Sequence, residues 1–459
     1  MTFLSAFWVR TRAEQGGASF GENDATEETM HDTTLAGGCD SPVRAGKAVG
    51  GTPFVQTRGS GAYAYDEAGA RFVDYVMAYG PLLFGHAHPA FSSGLDTLAR
   101  TGTLFGSTHG EEVRLAERIR AHVPSMERIR FTTTGTEAVM SAVRVARAYT
   151  RRPLVLRFGG NYHGHSDLAL LGAGASAETA DALAGGIPAA ASADIALARY
   201  NDLSSVDAVL SSRERQLAAI LVEPIVGNMG LVLPEPGFLE GLAERARRYG
   251  ALVIFDEVIS WLRLGLGGAQ ARVGIVPDLT TVGKILGGGF PIAAFGGNAE
   301  VMRVLAPHGS VFTGGTHAGN PFCVAMAHRT LDLLEERPDF YVQMNAIAER
   351  LAEGLRAMFR DLQLPYVVLQ LESIVDFKFR SGRVRNYDDA RASDARLFAR
   401  YYHEMRARKI LLPPSQNEVM FVSTAHTEAD VDETLAAARE ALERVTETVG
   451  EAGRTLRTG

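Results

Sequence analysis

The sequence has 459 residues, of which 46% are hydrophobic and 22% charged, and a formal net charge of −7. These values are typical of a globular protein large enough for more than one domain, and the negative charge gives no indication of a nucleic-acid partner. Two cysteines, Cys39 and Cys323, are too few for a disulfide framework or a zinc ribbon and favour a reducing cytoplasm, and no apolar run reaches the ~18 residues that a membrane span needs.

The first 84 residues are predicted to form an extension and a small β-rich part. Residues 1–9 hold no lysine or arginine and are too short for a signal peptide, so we expect a soluble, cytoplasmic protein that does not bind membranes. Residues 1–40 are predicted to be an N-terminal extension. From 41 to 84, β-type runs at 52–57 and 62–65 flank turn residues at 58–61, and a third run follows at 71–75. A hairpin this short needs a partner, so we expect it to pack with the C-terminal part of the chain.

The middle of the chain, 85–335, alternates strand and helix patterns. The predicted strands are 129–132, 154–158, 219–222, 252–255, 279–282 and 293–296. The predicted helices are 112–122, 137–149, 237–249 and 322–335. This alternation predicts a large α/β domain with a mostly parallel sheet covered on both faces. Ligands of such sheets bind outside the carboxyl ends of the strands, where Asp256 and residues 133–136 lie.

The last part of the chain, 336–459, is predicted to be a smaller α+β domain. It contains a helix, strands near 366–368 and 374–379, and a terminal amphipathic helix at 428–445.

The run from Asp278 to Pro291 places one lysine, Lys284, among uncharged, largely apolar and glycine residues. Desolvation lowers the pKa of an amine, and a neutral amine attacks an aldehyde and can hold it as a Schiff base. A buried strand pattern ends in Asp256, ahead of Lys284 in the chain. A lysine for an aldehyde and an aspartate for a ring nitrogen are what pyridoxal phosphate requires of a protein. Lys284 could also be a lysine that snorkels to solvent, and Asp256 could be the solvated start of a loop. The presence of both residues in this order favours a cofactor site.

The segment Thr133-Thr-Gly-Thr-Glu137 lies between a predicted strand and a strongly periodic helix. The free backbone N–H groups and the positive dipole end at such a helix start suit a phosphate. Thr134 and Thr136, on either side of Gly135, add hydroxyl donors. No GxxxxGK[ST] loop is present. The alternative is a helix N-cap and turn without a ligand.

Other polar residues follow strands or lie in loops. Tyr162 is placed to stack on a cofactor ring, Asn228 to donate to a phenolate oxygen, and Arg44 to clamp a carboxylate. His163 and His165 share a face without an obvious third ligand, which disfavours a metal site. No GxSxG sequence supports a nucleophilic serine.

Ten short motifs occur in one order along the chain. They are Ser41-Pro-Val-Arg-Ala45, Val49-Gly-Gly-Thr-Pro53, Gly85-His-Ala-His-Pro89, Gly135-Thr-Glu-Ala138, Tyr162-His-Gly-His165, Tyr200-Asn-Asp202, Asp256-Glu-Val258, Pro277-Asp-Leu279, Gly283-Lys284 and Gly319-Asn-Pro321. Together they resemble the class III, fold-type I family of pyridoxal-phosphate aminotransferases, and within it the glutamate-1-semialdehyde 2,1-aminomutases. The resemblance covers most of the chain. It implies a large domain with a seven-stranded, mostly parallel sheet and a smaller α+β domain built from both ends of the chain.

The resemblance also implies roles around the cofactor. Lys284 would form the Schiff base and then move a proton between the substrate carbon and the cofactor. Asp256 would keep the pyridinium nitrogen protonated, so that the ring accepts electrons. Tyr162 would stack on the ring, Asn228 would lie near its phenolic oxygen, and residues 134–136 would hold the phosphate.

The resemblance also implies contacts with the neighbouring subunit and with the substrate. Gly315 and Thr316 would reach the phosphate of the neighbouring subunit, which implies an obligate homodimer. Ser41 and Arg44 would belong to the substrate site, with Arg44 on the substrate carboxylate. Glu418 matches a glutamate that lines the aminomutase substrate pocket.

Departures from the family pattern lie on the walls of the substrate site. Tyr79 stands where the aminomutases have a tryptophan, Thr133-Thr134 replaces an asparagine and a serine, and Ile-Ser-Trp-Leu-Arg263 replaces a Thr-Gly-Phe-Arg type of sequence. We therefore expect an aminotransferase that exchanges an amino group between an amino-acid donor and a carboxylate-bearing keto acid or aldehyde. One alternative is the aminomutase reaction, which gives 5-aminolevulinate within one substrate molecule. The other is a partner subunit without catalysis, which the presence of both Lys284 and Asp256 disfavours.

Overall fold

The computed structural model describes residues 34–171 and 186–455, with side chains described as far as residue 446. Most of the predicted N-terminal extension, residues 1–33, lies outside these ranges. Within them, no helix is long and apolar enough to cross a membrane.

The N-terminal part forms a small antiparallel sheet. Its strands are β1 (Gln56–Ser60), β2 (Tyr63–Asp66) and β3 (Arg71–Asp74). The prediction of a first strand at 52–57 and a turn at 58–61 is wrong by about four residues. Gly59 belongs to the strand because its missing side chain leaves room for the ring of His86, whose Nδ1 would lie 2.4 Å from a Cβ there.

A seven-stranded sheet forms the centre of the molecule. In chain order its strands are β4 (Arg128–Thr132), β5 (Leu154–Phe158), β6 (Ile195–Ala198), β7 (Leu217–Val222), β8 (Leu252–Asp256), β9 (Leu279–Val282) and β10 (Ala293–Gly297). Their spatial order is β4-β10-β9-β8-β7-β5-β6, in which β10 runs antiparallel to both neighbours and the remaining pairs are parallel. The predicted α/β fold with a mostly parallel sheet is confirmed. Sequence reasoning missed β6, a four-residue strand at the sheet edge.

The C-terminal part adds two small sets of strands. β11 (Val367–Leu371), β12 (Ile374–Lys378) and β14 (Met420–Phe421) form an antiparallel sheet. β13 (Ile410–Leu411) instead runs parallel to β3, so the N-terminal strands are joined to the C-terminal part. The boundaries at 84 and 335 between the proposed domains stay a prediction.

Helices pack against the central sheet and the smaller sheets. They are α1 (Pro89–Ser92), α2 (Leu95–Arg100), α3 (Gly110–His122), α4 (Gly135–Thr150), α5 (Asp167–Leu170), α6 (Ala189–Ala193), α7 (Leu203–Leu210), α8 (Phe238–Tyr249), α9 (Gly268–Val273), α10 (Ala299–Met302), α11 (Pro321–Glu336), α12 (Asp339–Asp361), α13 (Tyr387–Arg391), α14 (Ala395–Ala407) and α15 (Glu428–Thr455). α4 buries a face of alanine and valine against the central sheet, which fixes its N-terminus at the strand ends.

Candidate active site

The carboxyl ends of the central strands and the start of α4 enclose a cavity of about 370 Å³. Predicted site residues that line it are Thr134, Gly135, Thr136, Tyr162, Asn228, Asp256 and Lys284. The structure thus brings seven of these residues together, as expected for groups that follow parallel strands. Their roles in catalysis stay a prediction.

Lys284 begins a short 3₁₀ turn, Lys284–Gly287, directly after β9. Its backbone is left-handed, with φ of 46°, and its Nζ donates to the carbonyl oxygen of Tyr79 at 2.7 Å. Burial lowers the pKa of the amine, whereas the carboxylates of Glu418, Glu223 and Asp256 oppose this shift. A lower pKa raises the fraction of neutral, nucleophilic amine at neutral pH.

Asp256, the last residue of β8, is buried and held by several donors. Its Oδ2 lies 2.8 Å from Nδ1 of His163, and its Oδ1 accepts from the Thr281 hydroxyl and the Val258 N–H, each at 3.1 Å. Burial lowers the pKa of His163, and its hydrogen bond to Asp256 opposes the shift. Because a carboxylate only accepts, Nδ1 of the histidine carries the proton.

The contact between His163 and Asp256 was not predicted from the sequence. The sequence presents His163 only as a candidate metal ligand beside His165. In the structure the ring of His165 lies instead 3.2 Å from the hydroxyl of Thr136. In the described residues, no three His, Cys, Asp or Glu side chains form a group that could hold a metal. Only the spatial order of the strands brings His163, which follows β5, to the end of β8.

The N-terminus of α4 forms the other end of the cavity. Thr134 is the N-cap residue: its hydroxyl accepts from the N–H of Glu137 at 3.2 Å, and Glu137 Oε2 accepts from the Thr134 N–H at 3.1 Å. Thr134 is thus a helix N-cap, which is compatible with a phosphate at this helix start, and the phosphate site stays a prediction. The N–H groups of Gly135 and Thr136 open the helix, where no intrahelical carbonyl faces them.

Glu223, which follows β7, is a buried carboxyl that sequence reasoning did not select. Its oxygens accept from the Tyr162 N–H at 2.8 Å and from the Gly227 N–H and Asn228 Nδ2 at 3.0 Å each. Burial, with the nearby charge of Asp256, raises the pKa of Glu223 to about 8. Glu223 therefore fixes the segment of Tyr162 and the amide of Asn228.

A left-handed turn carries Tyr79 to Lys284. Met77, Ala78 and Tyr79 have φ angles of 44°, 54° and 66°. Oδ1 of Asp74 accepts from the Met77 N–H at 3.2 Å, and buried Arg263 donates to the Gly80 carbonyl at 2.6 Å. Three successive non-glycine residues in this region store strain, which such bracing has to offset.

A second cavity, of about 320 Å³, lies beside this turn. It is lined by Arg44 and Tyr79, and by Tyr402 from α14. Arg44 is exposed, on the 3₁₀ turn Pro42–Ala45. The predicted substrate residue Ser41 precedes that turn and lines neither this cavity nor the one at Lys284, as far as the chain is described.

Glu418 is half-buried and lines neither of these two cavities. Burial raises its pKa from the ordinary 4.5 to about 7, and the ammonium groups of Lys284 and Lys378 oppose the shift. Its charge acts in turn on Lys284, Tyr79 and Tyr162. The amine of Lys284, whose pKa is lowered, and the carboxyl of Glu418, whose pKa is raised, therefore interact electrostatically.

Gly315 and Thr316 lie apart from Lys284. Both are exposed, and Gly315 lines a different cleft, of about 570 Å³, beside β4 and α4. Their predicted role toward a neighbouring subunit stays a prediction.

A family model described as aminotransferase class-III matches residues 45–369. The glutamate-1-semialdehyde 2,1-aminomutase of Thermus thermophilus is 44% identical over 414 residues, which cover 89% of this chain and 96% of that protein. An omega-transaminase from Sphaerobacter thermophilus has a similar structure, with a TM-score of 0.83 at 31% identity, over 91% of this chain and 96% of its own. A transaminase with PLP bound gives a TM-score of 0.81 at 27% identity, over 90% and 96% of the two chains. The chain belongs to the class III aminotransferases, enzymes that use pyridoxal phosphate.

Proposed function

We propose that this enzyme is a glutamate-1-semialdehyde 2,1-aminomutase, which moves an amino group within one substrate to give 5-aminolevulinate. The observation that carries the proposal is the 44% identity to the Thermus aminomutase over 96% of that protein. The altered residues of the substrate site predict an intermolecular aminotransferase. The extent of this similarity favours the aminomutase instead.

The cavity at Lys284 fits pyridoxal phosphate. The backbone lies close to its walls, because a Cβ on Gly164 would lie 2.4 Å from the Thr136 hydroxyl and a Cβ on Gly135 would lie 3.1 Å from Val258. The start of α4 suits the phosphate and the buried carboxylate of Asp256 suits a ring nitrogen. When bound, the cofactor supplies an aldehyde that joins to amines and a ring that accepts electrons.

The side chains around the ring would then act as follows. Asp256, oriented by His163, would accept a hydrogen bond from the ring nitrogen and keep it protonated. Tyr162 would cover one face of the ring. Asn228 donates one N–H to Glu223, and its other N–H would serve the phenolic oxygen.

The substrate would meet three further groups. The neutral amine of Lys284 would move a proton between the substrate carbon that bears the amino group and the cofactor. Arg44 binds the substrate carboxylate as a planar, charged donor. Glu418, which titrates near neutral pH, donates a hydrogen bond to the substrate when protonated and accepts one when ionised.

Intermolecular amino transfer is the second candidate, and Tyr79 favours it. A tyrosine where the aminomutases have a tryptophan changes the wall between Lys284 and the second cavity. A change at one wall acts on substrate choice and leaves the cofactor residues in place.

One assay separates the two candidates. The holoenzyme is supplied with glutamate-1-semialdehyde and no other amine, and 5-aminolevulinate is measured. We expect product under these conditions. If no 5-aminolevulinate forms, and an added amino-acid donor is released as its keto acid while the aldehyde is converted to the diamine, the aminomutase proposal is wrong and the aminotransferase remains.

We further propose that the enzyme is a cytoplasmic homodimer. The exposed residues 314–318, which include Gly315 and Thr316, support a role toward a second copy, and Cys39 and Cys323 are free. Light scattering of the holoenzyme at working concentration should give twice the mass of one chain. A monomer that is fully active would contradict the dimer.

A further inference from the structure

Strand β12 carries a buried ion pair between Asp376 and Lys378. The two side chains lie on one face of the strand, since they are two residues apart. Nζ of Lys378 lies 2.8 Å from Oδ1 of Asp376, and the two side chains are 0% and 4% exposed. Neither residue contributes to either of the cavities at Lys284 and Arg44.

Each member of the pair also binds the backbone of a different loop. Oδ2 of Asp376 accepts from the Leu231 N–H at 2.8 Å, in the loop that follows β7. Nζ of Lys378 donates to the carbonyl of Gln416 at 2.5 Å, in the loop that precedes β14. The ion pair therefore spans the two loops.

The two loops also touch each other at a position that only glycine can occupy. The Gly230 N–H donates to the Asn417 carbonyl at 2.7 Å. Gly230 has φ of 79°, and a Cβ there would lie 2.3 Å from Lys378 Nζ and 2.4 Å from Asp376 Oδ2. The backbone is thus packed directly onto the two charged groups.

These loops carry two proposed site residues. Asn228 lies two residues before Gly230, and Glu418 follows Asn417 directly. We propose that the Asp376–Lys378 pair positions the active site, by fixing the loop of Asn228 against the loop of Glu418. This inference rests on the proposed roles of Asn228 at the cofactor ring and of Glu418 at the substrate.

The residues around the ion pair indicate that it positions the two loops and is not needed simply to stabilise the fold. Apolar residues, among them Leu231, Ile374 and Val419, form a cluster at this junction. Taking two charges out of water is costly, and apolar side chains of similar size often serve a core equally well. An ion pair with directed hydrogen bonds fixes register, which an apolar contact does not.

Lys378 also acts on Glu418 through its charge. Burial raises the pKa of Glu418, and Lys378 is one of the two ammonium groups that oppose the shift, Lys284 being the other. Tyr79 and Tyr162 are the other titratable groups whose charge is coupled to that of Glu418. Loss of Lys378 should therefore move the titration of Glu418 to higher pH.

The test uses the double variant Asp376→Asn/Lys378→Met as the holoenzyme. Both charges leave together, so no lone charge stays buried, and the amide oxygen of the new asparagine can still accept from the Leu231 N–H. Methionine fills the space of the lysine stem but cannot donate to Gln416. As a control, Arg350→Met/Asp432→Asn removes a surface ion pair whose side chains are 47% and 60% exposed.

We expect the double variant to fold, to bind pyridoxal phosphate about tenfold more weakly, and to have a changed visible circular dichroism band of the bound cofactor. We expect kcat to fall by about 10–100-fold. The surface control should match the wild type. The proposal is overturned if the folded double variant keeps the wild-type cofactor affinity, dichroism and kcat, or if only its thermal stability changes.

Cofactor affinity and dichroism need no substrate, so this test is separable from the proposed function. If they change while the wild type makes no 5-aminolevulinate, the aminomutase proposal fails and the positioning role stands. If they are unchanged while the wild type makes 5-aminolevulinate, the positioning role fails alone. Should the double variant not fold, Asp376→Leu/Lys378→Met, which replaces the pair by apolar side chains and leaves no buried charge, takes its place with the same measurements and the same criteria.

Discussion

Nζ of Lys284 donates to the carbonyl oxygen of Tyr79 at 2.7 Å, and both residues have left-handed backbone. The amine that should react with the cofactor is thus hydrogen-bonded to one of the residues that depart from the aminomutase sequence pattern. Asp74 and Arg263 form hydrogen bonds with the backbone of the turn that carries Tyr79. Strain at both ends of one contact is typical of functional sites, where the surrounding structure maintains it.

Lys284→Ala should abolish covalent attachment of the cofactor and lower activity by about 10²–10⁴-fold. Borohydride reduction and mass spectrometry of the wild type should find the cofactor on the Lys284 peptide. The variant should remain folded, because burial disfavours the ammonium that is removed. Lys47→Ala, at an exposed lysine, is the control. Unchanged activity or cofactor absorbance in Lys284→Ala would refute the central role of this residue.

His163→Phe should lower kcat by about tenfold or more, because Asp256 loses the donor that orients its carboxylate. The ring fills the same space, so KM should change little. The absorbance of the bound cofactor should also change its dependence on pH, if Asp256 sets the protonation of the ring nitrogen as proposed. His308→Phe, at an exposed histidine, is the matched control. A variant with normal kcat and normal absorbance titration would show that His163 serves packing alone.

Much of this site was predictable because it follows strand ends. Lys284 and Asp256 stand out by local composition, and parallel strands bring their ends to one edge. The contact of His163 with Asp256 was not predictable, since it depends on which strands are neighbours. Asp376 and Lys378 were part of a correctly predicted strand, but nothing local indicates which loops they bind. The sequence likewise gives no sign that Gly59 makes room for His86 and so belongs to a strand.

Glu418→Gln should change how the stability of the cofactor-free protein depends on pH. The folded-state pKa of Glu418, about 7, lies above its ordinary value of 4.5, so the carboxyl favours folding most below pH 4.5 and loses this contribution as the pH rises to 7. Glutamine does not titrate. The variant should therefore gain stability over the wild type between pH 4.5 and 7, by up to about 3 kcal/mol. Urea unfolding at several pH values measures this.

Glu349→Gln, at an exposed glutamate on α12, is the control for that series. It should show no such divergence from the wild type. Equal pH dependence in the wild type and in Glu418→Gln would mean that the carboxyl of Glu418 is not held in a desolvated site.

Arg44→Ala should raise KM for the carboxylate substrate by about 10–100-fold, the loss expected for hydrogen bonds to a charged group. kcat should change less, because binding of the carboxylate is the same in the ground state and the transition state. Arg44→Lys should restore only part of the affinity, because an ammonium cannot form two parallel hydrogen bonds. Steady-state kinetics decide the point. If KM is unchanged in the alanine variant, the carboxylate binds elsewhere and the second cavity is not its site.

Tyr79→Trp tests which reaction the substrate wall favours. Position 79 lies between the amine of Lys284 and the cavity of Arg44, so a larger ring there should hold a short substrate closer to the amine. We expect the rate of 5-aminolevulinate formation to rise about tenfold relative to amino transfer from an external donor, a change within the range for one pocket residue. Tyr79→Phe keeps the ring and removes only the hydroxyl, and it should leave that ratio near the wild-type value. A tryptophan variant with an unchanged ratio would show that the choice between the two reactions is made elsewhere, with the loop of Glu418 as the next place to look.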